Sequence, residues 1–221
     1  MKKERQILVI FPHPDDETFG VAGTIAMHVA NGTPVTYACL TLGEMGRNLG
    51  NPPFATRESL PTIRKKELIK AAEAMGIDDL RMLGFRDKTL EFEDDEQMVQ
   101  MMEQLIKEVN PSLLITFYPG YSVHPDHEAT ARAVIEAVQR LKESERSTVH
   151  CVAFSNNHEQ EIGPADVIND ISSFAEQKKA AMRAHLSQTE WLLKDLEPKW
   201  DSGDAEALQW IQTEQFWTYR F

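Results

Sequence analysis

Two short strings of this 221-residue chain concentrate imidazole and carboxylate groups: Pro12-His13-Pro14-Asp15-Asp16-Glu17 and His124-Pro125-Asp126-His127. Each follows a short apolar run, residues 7–11 or 113–117, and each leads into a helical pattern. His13, Asp16 and His127 make a mixed nitrogen and oxygen donor set suited to Zn²⁺. Three protein ligands leave a position open for water, as catalytic zinc sites do. Fe²⁺ fits the same donors, since availability as well as affinity selects the metal in a cell. Metal binding lowers the pKa of water to about 7, which makes hydroxide available at neutral pH. Asp15 stands beside a ligand without being needed as one and is the natural base for the water proton. His124 stands likewise beside His127, placed to polarise a carbonyl oxygen and to protonate a leaving amine.

Each piece has a plainer reading when taken alone. Asp15-Asp16 after a strand reads as a helix cap plus a solvated charge, and His124 with His127 reads as a structural pair. Asp126 either caps a helix beginning at His127 or orients His124 from behind the ligands. The joint occurrence, each string between an apolar strand and a helix, carries the metal-hydrolase reading.

The elements that must position these groups follow from hydrophobic pattern and breakers. Residues 6–11 are continuous and β-branched, as a strand buried on both faces requires. A helix is expected over 18–31 with Gly32 as its stop, and a second strand over 34–41. Residues 42–61 form a long segment rich in Gly and Pro, a length that is usually functional. Helices are expected over 62–75, 96–109 and 127–143, and strands over 80–83, 112–117 and 149–154. Past Ser155 the pattern weakens. Residues 165–171 are ambiguous, 173–196 are helical with a break near Ser187, 205–212 are helical, and 216–221 read as a final edge strand or a subunit contact. Alternating strands and helices predict one α/β domain over 1–221, a Rossmann-like three-layer sandwich with a mostly parallel sheet. Both strings then fall beyond the carboxyl ends of strands, where such sheets place their sites.

Composition narrows the partners. Apolar content of 42% and charged content of 26% are those of a globular protein. The balance of 23 basic against 35 acidic residues, formally −12, argues against a nucleic-acid or anionic-membrane surface. It leaves room for a small anionic substrate met by local arginines, for which Arg47, Arg57 and Arg86 are candidates. Cys39 and Cys151 fall in expected strands and read as buried reduced thiols, consistent with a cytoplasmic setting. The apolar run 7–11 is too short for a signal core, and no run reaches membrane-spanning length.

With both strings in place, the chain resembles the LmbE-like, or PIG-L, superfamily of zinc-dependent N-deacetylases over nearly its whole length. Gly43-Glu44, Arg64 with Glu67, and Ala184-His185-Leu186-Ser187-Gln188 also look like family positions. The resemblance is nearest to the bacillithiol-biosynthesis branch, which removes acetate from a malate-linked N-acetylglucosamine. It implies zinc on His13, Asp16 and His127, with Asp15 as base and His124 as acid or electrophile. It implies Arg64 against sugar hydroxyls, with Glu44 and His185 as further substrate contacts. Homo-oligomers are common in that family. Some relatives carry an oxyanion-stabilising tyrosine two residues before the first histidine of the second string. Here that position is Ser122, and Tyr121 precedes it.

Three other readings compete. An amidase acting on S-conjugates would use the same metal chemistry. Phosphoryl transfer through Asp15 or Asp16 is disfavoured, because two histidines are poor Mg²⁺ ligands and no phosphate-cradling loop follows the first strand. A nucleotide-binding module would need glycines in the first turn, whereas Gly20 and Gly23 come too late.

Overall fold

A computed structural model describes residues 3–221. Seven strands form its centre: β1 (Ile7–Phe11), β2 (Val35–Thr41), β3 (Asp79–Phe85), β4 (Leu113–Phe117), β5 (Thr148–Val152), β6 (Val167–Asp170) and β7 (Thr213–Thr218). Their order is β3-β2-β1-β4-β5-β7-β6. β7 runs antiparallel to both of its neighbours, and the other pairings are parallel. The chain steps outward from β1 to β2 and β3, then returns to lay β4 on the other side of β1, with Leu8 opposite Leu114. That reversal creates a crevice beyond the carboxyl ends of β1 and β4, and both strings follow those two strands.

The helices are α1 (Asp16–Gly20), α2 (Ala22–Ala30), α3 (Leu60–Met75), α4 (Asp95–Val109), α5 (Pro125–Gln139), α6 (His158–Ile162), α7 (Ala175–Ala184), α8 (Leu186–Ser202) and α9 (Ala205–Gln212). Period-two alternation in the fully buried β1 sends Ile7, Val9 and Phe11 to one face, against Ile25, Leu68 and Met75 of α2 and α3. Leu8 and Ile10 go to the other face, against Met102, Ile106, Val134 and Val138 of α4 and α5. A satellite core of Met182, Leu193, Trp200 and Ile211 joins α7, α8 and α9. Local signals set several boundaries. Asp94 caps α4 by accepting the Gln97 amide at 2.8 Å, and Asn110 ends it at φ 49 before Pro111. Both cysteines are buried and free, as expected.

The departures have identifiable causes. The helix expected over 18–31 starts at Asp16 and breaks at Val21 (φ −143). The second piece has its own distant cap, for the Glu214 carboxylate accepts the amides of Gly23 at 3.0 Å and Thr24 at 2.7 Å. α5 begins at Pro125 rather than His127, and His124, not Asp126, is its cap. The break expected near Ser187 falls at His185. The last strand is neither at the edge nor over 216–221. It begins at Thr213 and lies between β5 and β6, with Phe216 and Trp217 buried inside this chain rather than left for a second subunit. Among the described residues no helix is long and apolar enough to cross a membrane.

Candidate active site and metal centre

Beyond Phe11 the first string turns sharply, and Asp15 takes φ 103, a region that residues with a side chain rarely adopt. Several contacts hold it there. Asp16 Oδ2 accepts the His13 amide at 2.8 Å, and Glu17 Oε2 accepts the Asp15 amide at 3.1 Å. Arg64, reaching in from α3, donates to the carbonyls of Pro14 and Gly43 and, at 3.0 Å, to Asp15 Oδ2. Gly43 (φ +61) is required in this arrangement, since a Cβ there would lie 1.8 Å from Arg64 Nη1.

The second string is set by the turn after β4. Val123 holds φ 65 and Lys88, opposite, holds φ 63. With Asp15, three of the four non-glycine residues at positive φ among the described residues (the fourth is Asn110) therefore stand at the two motifs and the cleft, the distribution expected when the surrounding fold imposes strain for function. His124 Nδ1 accepts the Asp126 amide at 3.1 Å, which leaves Nε2 to face outward. The Ser122 carbonyl lies 3.0 Å from His127 Nδ1 and can only accept, so the proton is assigned to Nδ1 and the lone pair to Nε2. The His127 ring stacks on Phe117 with centroids 4.2 Å apart.

His13 is oriented by two carboxylates. Asp87 Oδ1 and Asp126 Oδ2 each lie 3.1 Å from its Nε2, which assigns the proton there and the lone pair to Nδ1. Asp126 is wholly buried and also accepts the amides of Lys88 at 2.7 Å and Leu90 at 3.2 Å. Its carboxylate therefore orients His13 rather than His124. Asp87 was not foreseen. It lies just past β3 and is tied to the loop after β2 by the Met45 amide at 2.8 Å. The only sequence signal for it was an acid beyond a strand's carboxyl end.

Two imidazole lone pairs thus converge, His13 Nδ1 and His127 Nε2, 3.2 Å apart. Asp16 oxygens lie 3.5 Å from the first and 3.3 Å from the second. Facing lone pairs repel unless a cation sits between them. Donors bound tetrahedrally at ~2.0–2.1 Å stand about 3.3 Å from one another, so the spacing suits such an ion. The charge also fits: Asp16, Asp87 and Asp126 gather here, and among the described residues no lysine or arginine side chain pairs with them. Ligating groups cluster around His13 in two sets, with His124 and His127 and with Asp87 and Asp126. The second set is occupied in holding the His13 N–H.

The ionisation preferences follow from the same contacts. Burial lowers the His13 pKa, but bonds to Asp126, Asp16 and Asp87 outweigh it and leave the pKa well raised. Burial raises the Asp15 carboxyl to about 6, with Arg64 opposing and Asp16 adding to the rise. Burial would also raise Asp16, yet His127 and His13 bring it below the ordinary range. Burial lowers His124, helped by the two neighbouring imidazoles.

The expected substrate contacts divide. Arg47 is exposed on the wall of a polar cleft of about 440 Å³ that also takes in His13, Asp15, Lys88, His124 and Gln188. Arg64 borders the same cleft, and its two terminal nitrogens donate to the carbonyls of Gly43 and Pro14 and to Asp15, so in this arrangement it clamps Asp15. Glu44 does not line the cleft; its carboxylate accepts the Asp87 amide at 3.0 Å. Tyr121 is turned away, with its hydroxyl bonded to Glu161 and its ring against Tyr118. His185 is fully buried and bonds Glu17 Oε1 at 2.6 Å, so no substrate reaches it. Arg57 shapes the loop after β2 by donating to the carbonyls of Glu44 and Gly46. A second cavity, about 860 Å³ and largely apolar, lies on the other side of Asp16 and His127.

A histidine and carboxylate centre at the switch point of a parallel sheet, with a clamped free carboxylate beside it, defines a metal-dependent hydrolase. The chain belongs to the PIG-L family, described as GlcNAc-PI de-N-acetylase, whose sequence pattern matches residues 8–138. It is 52% identical over 221 residues to a Bacillus anthracis protein named "Probable N-acetyl-alpha-D-glucosaminyl L-malate deacetylase 2", covering 100% of this chain and 98% of that one. A Bacillus subtilis protein of the same name is 53% identical over 218 residues, with 99% of each chain covered. Among solved structures, the N,N'-diacetylchitobiose deacetylase of Pyrococcus horikoshii superposes with a TM-score of 0.73 at 25% identity, over 98% of this chain and 84% of that one.

Proposed function

We propose that the chain is a zinc-dependent deacetylase that hydrolyses N-acetylglucosaminyl malate to the free amine and acetate, a step of bacillithiol assembly. The observation that carries the chemistry is the convergence of the His13 and His127 lone pairs on one point beside Asp16. Full-length likeness to the two Bacillus proteins supports the substrate. Zinc on these donors supplies a Lewis acid and a water of lowered pKa.

The rest is the work of side chains. Asp15 Oδ2, fixed by Arg64, accepts the proton of the attacking water. The water oxygen bonds to the acetyl carbon, giving a tetrahedral centre. His124 Nε2–H, free because Nδ1 is engaged, steadies the carbonyl oxygen by donating to it, and the proton held on Asp15 passes to the nitrogen as the C–N bond breaks. Among the charges of the polar cleft, Arg47 and Lys88 are exposed cations and would meet the carboxylates of malate. Two buried reduced thiols accord with a cytoplasmic setting.

The test is amine release by metal-stripped protein, with and without one equivalent of Zn²⁺, from the malate conjugate, from plain N-acetylglucosamine and from a thiol S-conjugate amide. Zinc-dependent release that is fastest on the malate conjugate is expected. Faster cleavage of the S-conjugate would make the chain an amidase, and no release despite tight zinc binding would discard amide hydrolysis.

A further inference from the structure

The 860 Å³ cavity shares only Asp16 and His127 with the polar cleft, so the metal centre forms the partition between two chambers. The chambers differ in chemistry. The polar cleft carries Arg47, Arg64 and Lys88 beside the carboxylates Asp15, Asp16 and Asp87, with Arg47 and Lys88 exposed to solvent, and it holds both Asp15 and His124. The other is walled by Phe19, Phe117, Val152, Phe154, Trp210 and Trp217. Its one ammonium, Lys178, is already paired with Glu214 at 2.9 Å, each side chain 1% exposed, and its remaining charges are the acids Glu159 and Glu206, with Asp16 at the partition. The exposed cations Arg47 and Lys88 favour an anionic sugar conjugate on the polar side, and the apolar chamber offers it no free cation. An amide held with its nitrogen on the side of His124 and its carbonyl at the partition extends its acyl chain towards the apolar chamber.

We propose that the apolar cavity is an acyl chamber, and that the centre hydrolyses N-butanoyl and N-hexanoyl glucosamine conjugates as well as N-acetyl ones. The inference rests on the amide-hydrolase reading above and extends it to acyl specificity. An acetyl group needs the room of roughly three waters, on the order of 90 Å³ at about 30 Å³ each. The chamber is about 860 Å³, the size of a site for a whole small molecule. Nothing of that size restricts the acyl group to two carbons. The atoms balance as for acetate: the water oxygen ends on the acyl carbon, the C–N bond breaks, a proton ends on the amine, and butanoate or hexanoate departs.

The test compares kcat/KM for acetyl, propanoyl, butanoyl and hexanoyl conjugates of the same amino sugar with zinc-loaded protein. Each methylene moved from water into the chamber should raise kcat/KM about fourfold, equivalent to ~0.8 kcal/mol, so butanoyl should exceed acetyl by roughly 15-fold. A stepwise fall from acetyl onward would overturn the proposal. Val152→Phe narrows the chamber where Val152 faces Gly20, whose added Cβ would lie 3.3 Å from Val152 Cγ1. That variant should keep acetyl turnover within about twofold and lose the gain from longer chains. Should it fail to fold, Gln209→Phe on the exposed side of α9 crowds the same chamber from its rim. Equal treatment of acetyl and hexanoyl substrates by the folded variant and the parent would refute the assignment. Release from the acetyl conjugate alone sinks only the chamber, whereas no release from any conjugate sinks the hydrolase reading with it.

Discussion

Replacing Asp126 by Asn removes no bulk and changes one hydrogen-bonding capacity, yet it should weaken the metal centre. The carboxylate serves three donors: His13 Nε2 at 3.1 Å, the Lys88 amide at 2.7 Å and the Leu90 amide at 3.2 Å. Asparagine offers one acceptor oxygen and an NH₂ group, so one donor must face another donor. Oδ2 takes both His13 and the Lys88 amide and Oδ1 takes the Leu90 amide, so either placement of the NH₂ group sets it against a backbone N–H. Where the NH₂ group takes the Oδ2 position, His13 Nε2 accepts from it and the ring proton moves to Nδ1, the atom that faces His127 Nε2 at 3.2 Å. A protonated Nδ1 cannot ligate. Asp87, 3.1 Å from the same Nε2, resists the change and keeps the loss partial. Partners of this kind contribute about 10–100-fold in metal affinity, which is ~1.4–2.8 kcal/mol. Competition against a chromophoric chelator reads the zinc Kd directly, without substrate. A Kd equal to that of the parent would show that His13 does not depend on Asp126 for its tautomer, and the orientation argument would fail.

Four further outcomes follow from individual contacts. Asp15→Asn should retain zinc and lose on the order of 10²–10⁴ in kcat, the usual contribution of a general base; unchanged turnover would remove Asp15 from the mechanism. Gly43→Ala places a methyl group 1.8 Å from Arg64 Nη1 at φ +61. It should cost about 1–3 kcal/mol in urea unfolding and lower kcat, and a folded, fully active variant would mean that the clamp on Asp15 is dispensable. Glu214→Gln strips Lys178 of its buried counter-charge and weakens the cap of α2. A stability loss of about 3–5 kcal/mol is expected, less in combination with Lys178→Met, and additive losses would deny the coupling. Burial pushes the Cys151 thiol well above the ordinary thiol range and raises Cys39 as well. Native protein at pH 8 should therefore resist iodoacetamide until denatured; labelling at the rate of a free thiol would contradict the packing.

Much of this molecule could be read from local pattern, and the remainder depends on partners far away in the chain. The run 7–11 declared β1 because a strand buried on both faces needs unbroken apolar residues. The two strings declared the centre because their residue types are costly anywhere else. Glu214, between Thr213 and Gln215, carries no local signal of its task. Its role as a cap for α2 exists only once β7 lies between β5 and β6. Arg64 and His185 were assigned outward-facing tasks, yet both turn inward, to Asp15 and to Glu17, across 49 and 168 residues. Asp87 carries no motif and gains its place only when β3 stands two strands from β1. Tyr121 was judged by its distance in sequence from His124, and the turn that holds Val123 at φ 65 sends it elsewhere.

The distance between α2 and its cap also sets a clock on assembly. The helix that follows the first catalytic turn takes its N-terminal acceptor from a side chain 190 residues later. At about 5–20 residues per second of synthesis, roughly 10–40 s separate the emergence of that helix from the emergence of the carboxylate that completes it. Throughout that interval the nascent chain carries the Asp15 turn and the candidate ligands His13 and Asp16 on a corner whose helix lacks its anchor. The corner that carries the first string is accordingly completed by the arrival of the last strand, long after its own residues have been made.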